Sequence, residues 1–214
     1  MNTIPFLACL QGTSASIAAP ILINQGNALK IDRVNWPIEF PACPQTQVHL
    51  ATSVDTLYIR YDVTGKQLRA LSAKDEMPVW RDSCVEFFCQ LPGDKAYMNF
   101  ETNCIGAMVA SRCEGRDKNV CPLTPEQMTT ISRYTSEGTE PFEEKDGTFS
   151  WFVVIAIPWS IITNGKPKPN RILANFYKCA DDTKQPHYVS WSPIDLPHPD
   201  FHCPKFFDEL RVQG

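Results

Sequence analysis

Two alternating stretches divided by a short turn constrain this chain more than any other feature. Residues 77–103 read MPVWRDSCVEFFCQLPGDKAYMNFETN. Across 84–91, Val85, Phe87, Cys89 and Leu91 share one phase, and Glu86 falls on the other. LPGDK is a turn by its proline and glycine. From about residue 96 the alternation resumes: Tyr97, Asn99, Glu101 and Asn103 on one face, Met98, Phe100, Thr102 and Cys104 on the other. A period of two is the signature of a half-buried strand. These two strands therefore predict an antiparallel hairpin with one apolar and one polar face. Trp80 lies in the loop that leads into it, and an indole beside amides and carboxylates suits a neutral, hydroxyl-rich ligand.

The rest of the chain repeats this short-strand pattern. A hairpin is predicted over 47–52 and 56–63, and a turn at Thr64-Gly65-Lys66 leads to another short strand over 67–73. Strands are also expected at 104–111, 129–134, 171–178, 188–191 and 206–212, with acidic loop at 136–147. Thr124-Pro125-Glu126-Gln127 reads as the cap of a short helical turn. The run 149–157 is apolar on both phases and reads as a central strand buried on both faces, followed by a helical turn with Pro158 at its start. Eighteen prolines against ten glycines favour loops and edges over long helices. Many short strands and no long amphipathic helix give an all-β, antiparallel β-sandwich (jelly-roll-like) of two sheets with short helical turns.

At 214 residues and 43% hydrophobic the chain has enough apolar material for one domain. Residues 1–30, with prolines at 5 and 20, are expected to form an extended lead-in that adds an edge strand; 31–214 form the domain. A net charge of −4 without a Lys/Arg cluster argues against nucleic acid as a partner. No stretch is long and apolar enough to cross a membrane as a helix. The nine cysteines show no CxxC pair and no regular framework, so most are expected as buried small hydrophobes. With no evident signal peptide, they point to a cytoplasmic protein.

Three sets of residues could carry chemistry. A sugar ring offers C–H faces for indoles and hydroxyls for amides, carboxylates and ammonium groups. Trp80, Glu86, Asn99, Glu101 and Asn103, then Asn175 and Lys178, then Trp191 supply these groups, while Trp36, Trp151 and Trp159 are expected in the core. A second set, Cys179, His187, His198, His202 and Cys203, has the residue types of a metal site, but Pro197, Pro199 and Pro204 forbid the helix that the His198/His202 spacing would need. No cofactor is expected; loop carboxylates such as Asp181, Asp182 or Asp195 are candidates for a structural calcium ion. Third, Glu86 and Glu101 could serve as the acid/base pair of a glycoside hydrolase, and Cys84 or Cys203 with His187 as a thiol nucleophile.

The segments VWRDSCVEFF, YMNFETNCIG, WFVVIAIPW, NFYKC, PHYVSW and PDFHCPKFF together resemble the family 9 carbohydrate-binding modules, and more narrowly their single-domain bacterial branch. The resemblance covers about 31–214. It implies a sandwich of two antiparallel sheets in which two tryptophans clamp a sugar, often the terminal unit of a glucan or xylan chain. It also implies a mono- or oligosaccharide partner, no catalysis, and a role in carbohydrate catabolism beside a partner enzyme. The family's Trp, five residues, then Glu matches Trp80 and Glu86, and the second clamp falls on Trp191 by its place before the closing strand. The wider superfamily also resembles haem domains, for which Met77, Met98 or Met108 with His187 would be the axial ligands.

Overall fold

The computed structural model describes residues 2–214. Its two sheets realise the expected sandwich. The larger holds β1 (Asn2–Ile4), β3 (Arg33–Val34), β6 (Cys84–Gln90), β7 (Tyr97–Asn103), β8 (Met108–Cys113), β9 (Cys121–Pro122), β12 (Arg171–Cys179), β13 (Tyr188–Ser190) and β14 (Asp208–Val212). The smaller holds β2 (Asn27–Lys30), β4 (Gln45–Thr52), β5 (Thr56–Ala70), β10 (Ser132–Thr135) and β11 (Phe142–Pro158) in the order β10-β11-β5-β4-β2. The main path of the larger sheet is β1-β14-β12-β6-β7-β8-β9, and β13 extends it from β12 to β3. Among the described residues all strand pairings are antiparallel except β1 with β14, and an isolated parallel bridge joins Phe6 to Thr52.

The predicted phases position the core. Val85, Phe87 and Cys89 of β6, Phe100 of β7 and Phe176 of β12 point between the sheets, where they meet Leu57, Ile59, Tyr61, Val153 and Ile155. Phe87 stacks on both Phe100 and Phe176, with centroids 6.0 and 5.2 Å apart. Opposite each other on the outer face stand Cys84 and Asn103, Glu86 and Glu101, Phe88 and Asn99. The hairpin's register is thus fixed by its apolar face, because a slip of one residue would turn Phe87 or Phe100 outward.

Three local expectations are corrected. The lead-in is not extended throughout: Ala15–Gln25 forms an α-helix, α1, with Pro20 inside it. Ala15, Ala18, Ala19 and Leu22 recur at helical spacing and are buried. They rest on Ala51, Tyr58, Val154 and Ala156, on the outer face of the smaller sheet. Pro20 is on the exposed side. This helix is what buries β11 on its second face, so the doubly apolar run is explained. Second, β5 continues through 64–66 without turning. Gly65 is needed for close approach, since a Cβ there would lie 3.0 Å from Pro44 Cβ. Third, the acidic stretch joins β11, with register shifts between Phe142, Lys145 and Thr148; Gly147 at φ +145° allows the irregular course.

The helical turns at Pro125–Thr129 (α2) and Trp159–Thr163 (α3) form as expected. Thr124 and Gln127 make a reciprocal capping box on α2.

Candidate functional site

The outer face of the larger sheet is partly covered by loops. Phe201 stacks on Tyr177 at 4.1 Å, and the His202 ring meets Phe88 edge-on at 4.9 Å. His202 Nδ1 shares a hydrogen bond of 2.7 Å with the Tyr97 hydroxyl. Trp36 braces this cover by donating from Nε1 to the Leu196 carbonyl at 2.8 Å. Between the loops remains a cavity of about 340 Å³, within the range of small-molecule sites. Glu86, Asn99 and Glu101 line it, and Trp80, Tyr188 and Phe201 supply aromatic surface.

Trp80 sits on a short 3₁₀ turn, Val79–Arg81, and is 36% exposed. The turn is anchored by Asp82, which is fully buried. Its carboxylate accepts from Arg69 Nη1 (2.9 Å), Leu71 N (3.0 Å), Ser72 N (2.9 Å) and Asn103 Nδ2 (3.0 Å). A carboxylate held by a charge and three N–H groups is a rigid foundation. The far side is tied by Asp181 N, which donates to the Trp80 carbonyl at 3.1 Å.

Glu86 and Glu101 are register partners, and both are buried. Glu86 Oε1 accepts from Cys179 Sγ at 3.1 Å; Glu101 Oε1 accepts from Asn99 Nδ2 at 2.8 Å. Burial is the main cause that raises both carboxyls above their usual range, and at Glu86 Cys179 and Glu101 add to it. At Glu101 the Asn99 hydrogen bond and the Arg116 charge oppose the rise. Asp181 is pushed up to about 6, chiefly by burial. Arg116 closes the rim and pairs with Asp200 at 2.9 Å. Burial, then Arg116, lowers His202 to about 4, so that wall is neutral. A floor of this kind presents hydrogen-bonding groups of both polarities while carrying less negative charge than its carboxylates suggest.

Of the eight residues expected at the site, the structure brings four together: Trp80, Glu86, Asn99 and Glu101. Four lie elsewhere. Trp191 packs on the inter-sheet core, its ring 5.7 Å from Phe176, and does not line the cavity. Lys178 belongs to the inner phase of β12. Its Nζ is buried, donating to the Cys179 carbonyl at 2.6 Å and meeting His187 Nε2 at 2.9 Å. Asn175 is on the outer phase, but it pins the place where β12 changes partner from β14 to β13. Its Oδ1 accepts from Phe176 N and Ser192 N at 2.9 Å each, and its Nδ2 donates to the Ser192 carbonyl at 3.1 Å. Asn175 and Lys178 could never share a face, since their spacing is odd. Asn103 closes the β7–β8 turn, accepting from Ile105 N and Ala107 N and donating to Ser72 O and Asp82.

Tyr188, Phe201, Arg116, Asp181 and Cys179 line the cavity without having been expected there. Ser111 and Val109 of β8 also line it; the phase of that strand relative to Glu101 and Asn99 was the available signal. The loop residues carried none.

The expected metal set is dispersed. His187 sits between Lys178 and the Gln185 carbonyl, His202 bonds Tyr97, and His198 is exposed. With both its nitrogens engaged, His187 is also unsuited to activate a thiol or bind haem, and Met98 and Met108 lie in the core. Among the described residues, the three side chains whose ligand atoms approach within 4.8 Å of one another are Cys84, Glu86 and Cys179; Asp181, Asp182 and Asp195 form no such group.

Comparison with known proteins places this geometry in context. The family model for carbohydrate-binding family 9 matches residues 18–212. A crystal structure of a candidate carbohydrate-binding protein from Bacteroides uniformis ATCC 8492 is 33% identical, with a TM-score of 0.92 over 99% of this chain and 98% of that one. A family 9 module from Caldicellulosiruptor kristjanssonii, solved with glucose and with cellotriose, shares the fold at a TM-score of 0.64 and 13% identity, over 99% of this chain and 95% of that one for the glucose complex and 100% and 94% for the cellotriose complex. No curated protein matches the chain. The matched span covers every strand but β1 and every residue that lines the cavity, and the chain belongs to carbohydrate-binding family 9.

Proposed function

We propose that the cavity binds one sugar unit, free or at the end of a glucan or xylan chain, and that binding is its whole task. The observation that supports this reading is a single one. An indole anchored by the buried Asp82 stands at the rim of a pocket whose floor is Glu86, Glu101 and Asn99. Trp80 offers a face for the sugar's C–H surface, with Tyr188 or Phe201 as the opposing aromatic in place of Trp191. The floor then exchanges hydrogen bonds with hydroxyls. A protonated carboxyl donates as well as accepts, which widens the hydroxyl geometries the floor can satisfy. The fold neighbour solved with glucose and cellotriose favours glucan-type ligands for the first trial.

The test is calorimetry and tryptophan emission with glucose, xylose, and cello- and xylo-oligosaccharides. Saturable binding that shifts the emission supports the reading; silence in both signals across the whole panel overturns it. The in-register glutamates also define a hydrolytic alternative. Both project from one floor on adjacent strands, whereas hydrolysis requires carboxyls that flank the scissile bond. Turnover of aryl glycosides that is lost in Glu86→Gln would establish that alternative.

A further inference from the structure

Cys84 and Cys179 are register partners on β6 and β12, and Glu86 is two residues along β6 on the same face. All three are buried, at 0%, 1% and 4% exposure. Their ligand atoms lie within 4.8 Å of one another, with Cys179 Sγ and Glu86 Oε1 at 3.1 Å. In a tetrahedral zinc site with Zn–S near 2.3 Å and Zn–O near 2.1 Å, neighbouring donors stand about 3.5–3.8 Å apart. Small side-chain shifts therefore bring these three donors onto one centre. The hydrogen bond recorded for the buried Glu86 carboxyl comes from a thiol, not a cation. A buried acid beside two buried thiols can hold three protons, or trade them for a metal ion.

We propose that Cys84, Cys179 and Glu86 form a site for a thiophilic divalent cation of the zinc class at the floor of the cavity. Two thiolates and one carboxylate exclude calcium and magnesium by softness. On binding, the thiol protons, and that of Glu86 where present, leave to solvent, and the ion takes their place. Glu86 and Cys179 line the cavity, so the fourth position opens towards it, where water or a sugar hydroxyl completes the tetrahedron. Behind the site Lys178 holds the Cys179 carbonyl from the other face of the sheet, fixing that ligand's backbone. The inference does not depend on a sugar being bound.

The experiment titrates the reduced, metal-free protein with Co²⁺ and then Zn²⁺, without sugar. One equivalent of Co²⁺ should produce thiolate-to-cobalt charge-transfer absorption that Zn²⁺ abolishes. Cys84→Ser and Cys179→Ser should each weaken binding by at least about tenfold, since even the outer-shell partners of a metal are worth that much. Cys89→Ser, on the inner face, should leave it unchanged. Should either cluster variant misfold, protection of Cys84 and Cys179 from alkylation by Zn²⁺, mapped in the wild type, decides the matter. Absence of the band while all nine thiols are free, or an undiminished band in both cluster variants, overturns the proposal. So does a Cys84–Cys179 disulfide that forms in preference to metal loading.

Discussion

The outer faces of the two sheets are closed in different ways. On the smaller sheet one helix, α1, lies across Tyr58, Val154 and Ala156 and meets them with alanines and one leucine. On the larger sheet loops do the covering, through separated aromatic anchors at Phe201, His202 and Trp36. A helix with a continuous small-residue face makes a uniform seal. Anchored loops leave space between their anchors, and in that space the sheet presents two glutamates and an asparagine. The cavity is thus a consequence of how the face is covered, and the two faces should respond separately to mutation.

The largest expected effect is on the helix side. Leu22→Ala should cost about 3 kcal/mol of stability, as deletion of a fully buried leucine does, and should leave sugar affinity intact. Equal losses of affinity would show that the two faces are not independent. Trp191→Ala comes next: a half-buried tryptophan against the core should cost about 2 kcal/mol in denaturant unfolding, again without loss of affinity. A selective loss of affinity there would restore Trp191 as a sugar contact. Trp80→Ala should do the reverse, weakening binding by about 1 kcal/mol or more while stability changes by less than about 0.5 kcal/mol.

The smallest effect is one of pH. His202 is neutral in the fold, lowered from 6.5 to about 4. The native state therefore binds fewer protons than the unfolded chain over that interval. Its contribution to stability is present above pH 6.5 and is lost as the pH falls through about 4. Helix α1, with the sequence ASIAAPILINQ, has no titratable side chain. Between pH 6.5 and 4, hydrogen exchange should rise around His202 and Tyr97 before it rises in α1, and His202→Gln should flatten the trend. Simultaneous opening of both regions would mean that the loops and the helix belong to one cooperative unit.

Much of this arrangement was legible in the sequence because strand phase is arithmetic. The alternation at 84–91 and 96–103 placed Glu86, Asn99 and Glu101 on one face, and Trp80 enters that face from the loop before it. The same arithmetic separates Asn175 from Lys178, whereas treating them as one set does not respect it. Trp191 was illegible for another reason: a residue just past a strand end has no phase, and its backbone N–H donation to Phe176 O turns it towards the core. Helix α1 hides because Pro20 breaks the helical propensity and its exposed face carries isoleucines rather than charges. Gly65 invites a turn on local chemistry, but Pro44 across the strand sets its role. Phe201 and Arg116 reach the cavity from loops, where only tertiary structure decides direction.

The parallel pairing of β1 with β14 joins Asn2 to Leu210 and Ile4 to Val212. Nearly the whole described chain lies between these partners. Contacts so distant in sequence make folding slow, because a long loop must close before they reward it. During synthesis residues 2–4 are made long before their partner, and the part of β12 that pairs with β14 is likewise unprotected until 208–212 emerge. A nascent chain of this protein therefore carries an unpaired first strand for most of its translation, and an open sheet edge at β12 late in it. Ribosome-bound intermediates should be the species most in need of a chaperone.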